Sequence, residues 1–148
     1  MRRVAAALGL RVQIVEAELK PESDADWKRV RNEGIFQSDT LAKVTAGEVA
    51  IGLSHRKALQ ACINATTTAC LIFEDDFTAV GPSLRERLLN AVAVLPDDWN
   101  FLHLGRCWDG LCGSNKRVSP AADLYHEDDS SASCFHAYAV SRAGAKEL

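Results

Sequence analysis

Ala69 Cys70 Leu71 Ile72 Phe73 Glu74 Asp75 Asp76 is the stretch on which the fold turns, because a run of five apolar residues delivers three acids in succession. The run has no helical period and is flanked by the polar Thr66 to Thr68 and by Gly81 and Pro82. It therefore reads as a buried strand of an α/β sheet. Its acids stand at the carboxyl end, where loops diverge from an open α/β sheet and leave a ligand crevice. If the extended geometry continues into the acids, Glu74 and Asp76 share a face and Asp75 points the other way. Two carboxylates on one face repel each other unless a cation joins them. Oxygen-seeking Mg²⁺ or Mn²⁺ suits such a pair, and these ions commonly hold substrate phosphates as well. The plainer alternative is a strand that ends in solvated acids before a turn.

Working outward, the 148 residues suit one domain, so residues 1–148 are expected to fold as a single unit. Hydrophobic residues at 47% and charged residues at 25% argue against disorder and against a fibrous class. A net charge of -3, with no cluster of Lys and Arg among aromatics, gives no footprint for nucleic acid. No stretch approaches the roughly 18 apolar residues of a membrane span. The cysteines, Cys62, Cys70, Cys107, Cys112 and Cys134, are odd in number and fit no zinc spacing. Cys62 falls in a helical pattern and Cys70 in the strand, so both read as free core thiols. Cys107 and Cys112 bracket the loop Trp108 Asp109 Gly110 Leu111 and read equally as a disulfide clip or as reduced loop cysteines. A clip would indicate a secretory lumen.

Taken in order, Arg3 to Leu8 is helix-like with Gly9 as its stop, and Val12, Ile14 and Val15 read as a strand ending near Ala17. Ser23 caps a short helix through Asp26, Trp27 and Val30 that stops at Gly34. Thr45 Ala46 Gly47 Glu48 has the capping-box spacing and starts a longer helix. The helical period places Glu48, Ile51, His55, Ala58, Leu59 and Cys62 on one stripe, with Arg56 and Lys57 turned to solvent. His55 on an apolar stripe is explained by the core and Glu48 by its cap, so neither demands a functional role from the pattern alone. Pro82 opens a helix with the stripe Leu84, Leu88, Ala91, Val92, Leu95, ended by Pro96. Phe101 to Gly105 reads as a strand that neighbours the acidic one. Residues 106–133 read as a long loop, of a length that is usually functional, in which Glu127 Asp128 Asp129 is a solvated charge cluster. Cys134 to Val140 reads as a third strand, and Ser141 caps a final helix to Leu148.

Three of these stretches carry a resemblance. Ala46 Gly47 Glu48 Val49 Ala50 Ile51 Gly52 Leu53 Ser54 His55 is similar to a Gly-Glu-x-Gly-x-x-x-Ser-His helix, with Ala50 in place of the second Gly. Leu71 to Asp76 is similar to a strand with its acidic motif, and Ala137 to Ala145 to a Tyr-x-x-Ser-Arg-x-Gly-Ala segment. Between them, Leu95 Pro96 Asp97 Asp98 Trp99 Asn100 and Leu102 to Gly105 resemble a Pro-x-x-Trp-Asp and Leu-Gly run. Four motifs in this order resemble the family 25 glycosyltransferases, which include bacterial lipooligosaccharide sugar transferases and collagen galactosyltransferases.

The resemblance implies a GT-A-like, Rossmann-type nucleotide-sugar sandwich. It implies transfer of a hexose, galactose or glucose, from a UDP-sugar to a glycan or protein acceptor, with Mn²⁺ or Mg²⁺ as cofactor. Glu74 and Asp76 are then the metal and catalytic residues, while Glu48, His55 and Asp75 become candidates for substrate binding. The likeness begins after the family's first strand and stops before its C-terminal part, so the chain reads as a central fragment, incomplete at both ends. A truncated, inactive transferase-like domain is the first alternative reading. A more distant one is a haloacid dehalogenase-like phosphatase, whose Asp-x-Asp-x-Thr signature Glu74-x-Asp76-x-Thr78 approaches, but a Glu in the nucleophile's place overshoots the phosphorus.

Overall fold

The computed structural model describes residues 9–77, 84–104, 116–119, 124–126 and 135–148. Two compact units divide the chain, Ile14–Ala65 and Thr66–Glu147, the latter together with the first thirteen residues.

The Ile14–Ala65 unit is helical. Helix α1, Asp24–Asn32, starts where the Ser23 Oγ accepts from the Asp26 N–H at 3.2 Å and the Asp26 carboxylate accepts from the Ser23 N–H at 2.9 Å. This reciprocal bonding satisfies two otherwise unpaired donors at the helix start. Beyond its end Gly34 adopts φ 65, a left-handed conformation that glycine reaches without a Cβ penalty. After a single turn, α2 (Ser38–Leu41), helix α3 runs from Ala46 to Asn64. Its start has the same construction: Thr45 N–H donates to Glu48 Oε2 at 2.6 Å, and Glu48 N–H to Thr45 Oγ1 at 3.2 Å. The core joins Val30, Val49 and Leu53 with Trp27, Ile35, Phe36, Leu41 and Val44.

Two expectations fail in the first 65 residues. The buried residues of α3 are Val49, Ala50, Leu53 and Cys62, whereas Ile51 is 53% exposed, so the core-facing stripe is rotated from the one read in the sequence. Small and apolar residues lie on several sides of α3, which blurs the period on which the stripe was read. The second failure is the strand at Val12, Ile14 and Val15, for residues 10–22 carry no strand. Val12 and Ile14 are 44% and 59% exposed. The part of this stretch that lies in the helical unit is held to α3 by side chains instead. Ser54 Oγ accepts from the Glu18 N–H at 2.9 Å, and Lys57 Nζ donates to the Glu16 carbonyl at 3.1 Å. Lys57, with Arg29 in second place, draws the Glu18 carboxyl below the usual carboxylate range.

The second unit is built on a three-stranded antiparallel sheet. Strand β1 spans Ala69–Phe73, helix α4 Leu84–Val92, and strand β2 Phe101–His103. Lys116–Ser119 (β3) and Leu124–His126 (β4) form a separate antiparallel pair, followed by β5 (Ala137–Ser141) and the short α5 (Gly144–Glu147). The sheet order is β1-β5-β2, so β2 does not neighbour β1 as expected; the later strand β5 takes the centre and is buried along its whole length. β1, expected to be a buried strand, is half-buried throughout, as its edge position dictates. Helices with a small antiparallel sheet make the chain an α/β protein in the broad sense. The segment read as a loop at 106–133 contains the β3–β4 pair.

One sheet face, carrying Leu71, Leu102 and Ala139, packs with Leu124, Ala91, Val94, Leu95, Trp99 and Leu104. α4 therefore turns Ala91 inward, but Val92, placed on its stripe by the sequence, is 45% exposed. At the far end Ser141 Oγ accepts from the Gly144 N–H at 2.9 Å, the expected cap. Cys62 and Cys70 are both disulfide-bonded, which corrects their reading as free core thiols. The helix at Arg3 to Leu8, the Cys107–Cys112 clip, Pro82 at the start of α4, and the cluster Glu127 Asp128 Asp129 lie outside the described residues.

Candidate functional site

The site grows from the register of β1 on β5. Ile72 lies opposite Tyr138 and Phe73 opposite Ala137. The next bond of the ladder is Glu74 N–H to the His136 carbonyl at 2.9 Å, so Glu74 faces His136 across the strand pair. Because side chains alternate, Glu74 and His136 share the face that carries Ile72 and Tyr138.

That face is set by aromatic packing. Phe101 stacks on Tyr138 with ring centroids 4.9 Å apart, and Phe135 meets Tyr138 edge-on at 5.9 Å. Tyr138 is 2% exposed, and burial, followed by the nearby Glu74 charge, pushes its phenol well above the ordinary value. A neutral, wedged Tyr138 therefore fixes β5 two residues from His136.

Past Glu74 the strand does not continue. Phe77 N–H bonds the Glu74 carbonyl at 3.2 Å, closing a four-residue turn, and the Phe73 and Phe77 rings meet at 4.7 Å across it. The turn brings Asp76 back to the strand end. His136 Nδ1 lies 2.7 Å from Glu74 Oε2 and 3.7 Å from Asp76 Oδ1. Glu74 and Asp76 thus converge, though through a turn and not through the alternation of an extended chain. Asp75 is exposed on the same turn.

Glu74, Asp76 and His136 each offer one ligand atom, and these atoms lie within 4.8 Å of one another. Two carboxylates and an imidazole fit a divalent cation as a donor set. The side chains are 27%, 69% and 42% exposed respectively, so the group opens to solvent on one side. Sequence reasoning missed His136. Its signal was faint, a histidine two residues before the tyrosine of Tyr-x-x-Ser-Arg, and only the antiparallel register gives it meaning.

The remaining candidates, Glu48 and His55, belong to the helical unit. Glu48 is engaged in its capping box, where the Thr45 N–H, and after it the Thr45 hydroxyl, hold its carboxyl below the usual range. His55 is half-buried on α3, next to Ser54, whose hydroxyl also donates to the Ala50 carbonyl at 2.7 Å.

A family model described as Glycosyltransferase family 25 (LPS biosynthesis protein) matches residues 1–148. No curated protein and no solved structure matches the chain.

Proposed function

We propose, from the premise that this chain belongs to glycosyltransferase family 25, that it moves a hexose, galactose or glucose, from a UDP-sugar to a glycan or protein acceptor. Membership makes it a glycosyltransferase of the family tied to LPS biosynthesis, and so sets aside the phosphatase reading. Donor, acceptor, the GT-A-type nucleotide fold and metal use are the parts proposed here.

The observation that carries the proposal is the convergence of Glu74 and Asp76 at the end of β1. Bond breaking at the sugar leaves negative charge on a diphosphate, and a divalent cation, Mn²⁺ or Mg²⁺, supplies the compensating charge when bound. Glu74 and Asp76 are the residues that would hold it. The backbone beneath the carboxylates is set before any ligand arrives, at Glu74 by its ladder bond and at Asp76 by the Phe77–Glu74 turn, which lowers the ordering left to be done on binding. Asp75, on the same turn, is assigned to substrate contacts; Glu48 and His55, in the helical unit, are substrate-binding candidates on the family likeness alone.

The test is calorimetric titration of Mn²⁺ and then UDP into the chain and its variants, with donor hydrolysis measured with and without Mn²⁺. Asp76→Ala is expected to abolish metal-dependent UDP binding, Glu74→Ala to weaken it strongly, and Asp75→Ala to weaken it least. Unchanged affinity in the Asp76 variant would remove the metal assignment.

A further inference from the structure

Building on the reading of Glu74 and Asp76 as metal-holding residues, we propose that His136 is the third protein ligand and makes the site favour Mn²⁺ over Mg²⁺.

The geometry around Nδ1 supports a ligand over a simple hydrogen-bond partner. This nitrogen faces carboxylate oxygens of both Glu74, at 2.7 Å, and Asp76, at 3.7 Å. A single N–H satisfies one acceptor well, and the second acid is then left at a distance too long for a hydrogen bond. A cation among the three atoms, all within 4.8 Å of one another, draws on every donor at once. Two backbone devices bring the donors together. The Glu74 N–H to His136 carbonyl bond fixes the first two, and the Phe77 N–H to Glu74 carbonyl bond returns Asp76 to them. The rings of Phe73 and Phe77 meet across the turn. The open side of the group, where Asp76 is 69% exposed, leaves coordination positions for oxygens of a second molecule.

The donor set then decides which cation fits. Mg²⁺ prefers oxygen ligands, demands near-ideal octahedral geometry and gives up water reluctantly. An imidazole nitrogen is a softer donor, better matched to first-row transition dications. Two oxygens and one nitrogen therefore discriminate in favour of Mn²⁺, while the carboxylate pair alone does so far less. His136→Gln removes that nitrogen, and with it the discrimination, while a polar amide is kept, its oxygen one bond further from the backbone than Nδ1.

The experiment uses the full chain with Mn²⁺ alone as the probe. Electron paramagnetic resonance gives bound against free Mn²⁺, Mg²⁺ competition gives the preference, and electron spin-echo modulation reports whether a nitrogen is coordinated. We expect nitrogen modulation in the wild-type complex and its loss in His136→Gln. Mn²⁺ affinity should fall at least about tenfold in the variant, since even residues that only support a ligand change metal affinity by about 10–100-fold, and Mg²⁺ affinity should fall less, so that the preference narrows. Mn²⁺ bound by wild type without nitrogen modulation overturns the role of His136 and leaves Glu74 and Asp76 standing. No Mn²⁺ binding by wild type overturns both. The modulation is read on the wild-type protein, so the result does not depend on how well the variant folds.

Discussion

Replacing Gly144 by alanine probes the junction that holds the central strand in place. A Cβ at Gly144 would lie 2.8 Å from both the Cα and the carbonyl carbon of Asn100, and closer still to the Asn100 carbonyl oxygen. Carbon atoms pack at about 3.5–4.0 Å, so one backbone or the other has to move by several tenths of an ångström. Neither moves easily. The Asn100 carbonyl accepts the Ser141 N–H at 3.0 Å, its side chain donates to Glu147 at 2.8 Å, and the next residue, Phe101, pairs with Val140. Overpacking of this kind costs about 1–3 kcal/mol or more, and backbone on both sides puts it at the upper end. Alanine's advantage in a helix offsets at most about 1 kcal/mol. The net loss is about 2 kcal/mol, which for a chain of this size lowers Tm by about 4–8 °C. Gly47→Ala is the matched control, since a Cβ there meets only Thr45 Oγ1 at 3.8 Å, and its Tm should stay level or rise. Thermal melts followed by circular dichroism compare the two. A Gly144→Ala chain that melts at or above the wild-type temperature would refute the close approach of α5 to Asn100.

Acid stability follows from the caps and the ion pairs of the helical unit. Glu18, Asp26 and Glu48 all have carboxyls held below their ordinary values of 4.5, 3.8 and 4.5. Their contribution is present above those values and is lost as pH falls through the lowered ones. Urea midpoints across the carboxylate range should therefore fall on acidification, and Glu48→Gln should flatten that fall; an unchanged slope counts against the capping box as its source. Tyr138 gives the opposite limb: its phenol is raised by burial and then by Glu74, so its contribution is intact below the ordinary value of 10.0 and is lost as pH rises above it. In an alkaline absorbance titration Tyr138 should ionise only with unfolding, and Tyr138→Phe should remove that late phase. Ionisation at the ordinary pH before unfolding would mean that the phenol is not buried.

Much of the local structure was legible because it is written at short spacing. Ser23 with Asp26, Thr45 with Glu48, and Ser141 with Gly144 each join residues three apart, so a sequence shows both partners at once. Gly34 was legible for the same reason, since a left-handed residue after a helix calls for glycine. What failed was non-local. Nothing within Val12, Ile14 and Val15 says that no strand will come to pair with them, nor that Ser54 and Lys57, far along the chain, will hold the segment that follows. Nothing within Phe101 Leu102 His103 says that β5 will come between it and β1. In an antiparallel sheet built from separated segments, the neighbour of a strand is decided by which faces can be buried together.

The candidate site shows the same division within eight residues. The three acids stood out because acids after an apolar run are a local pattern, and the pairing of Glu74 with Asp76 was expected from strand alternation. The structure reaches that pairing by a different route, a turn closed by Phe77. The route matters, because an extended strand would carry Asp76 onward along the sheet, whereas the turn folds it back beside His136. His136 itself stands immediately before β5, 62 residues after Glu74, and its position follows from a register fixed by Tyr138 against Phe101 and by Ile72 opposite Tyr138. A shift of one residue in that register would send His136 to the other face of the sheet. The two carboxylates belong to the sequence of one strand and its turn, but the nitrogen that joins them belongs to the fold, and the metal preference proposed for this site depends on that nitrogen.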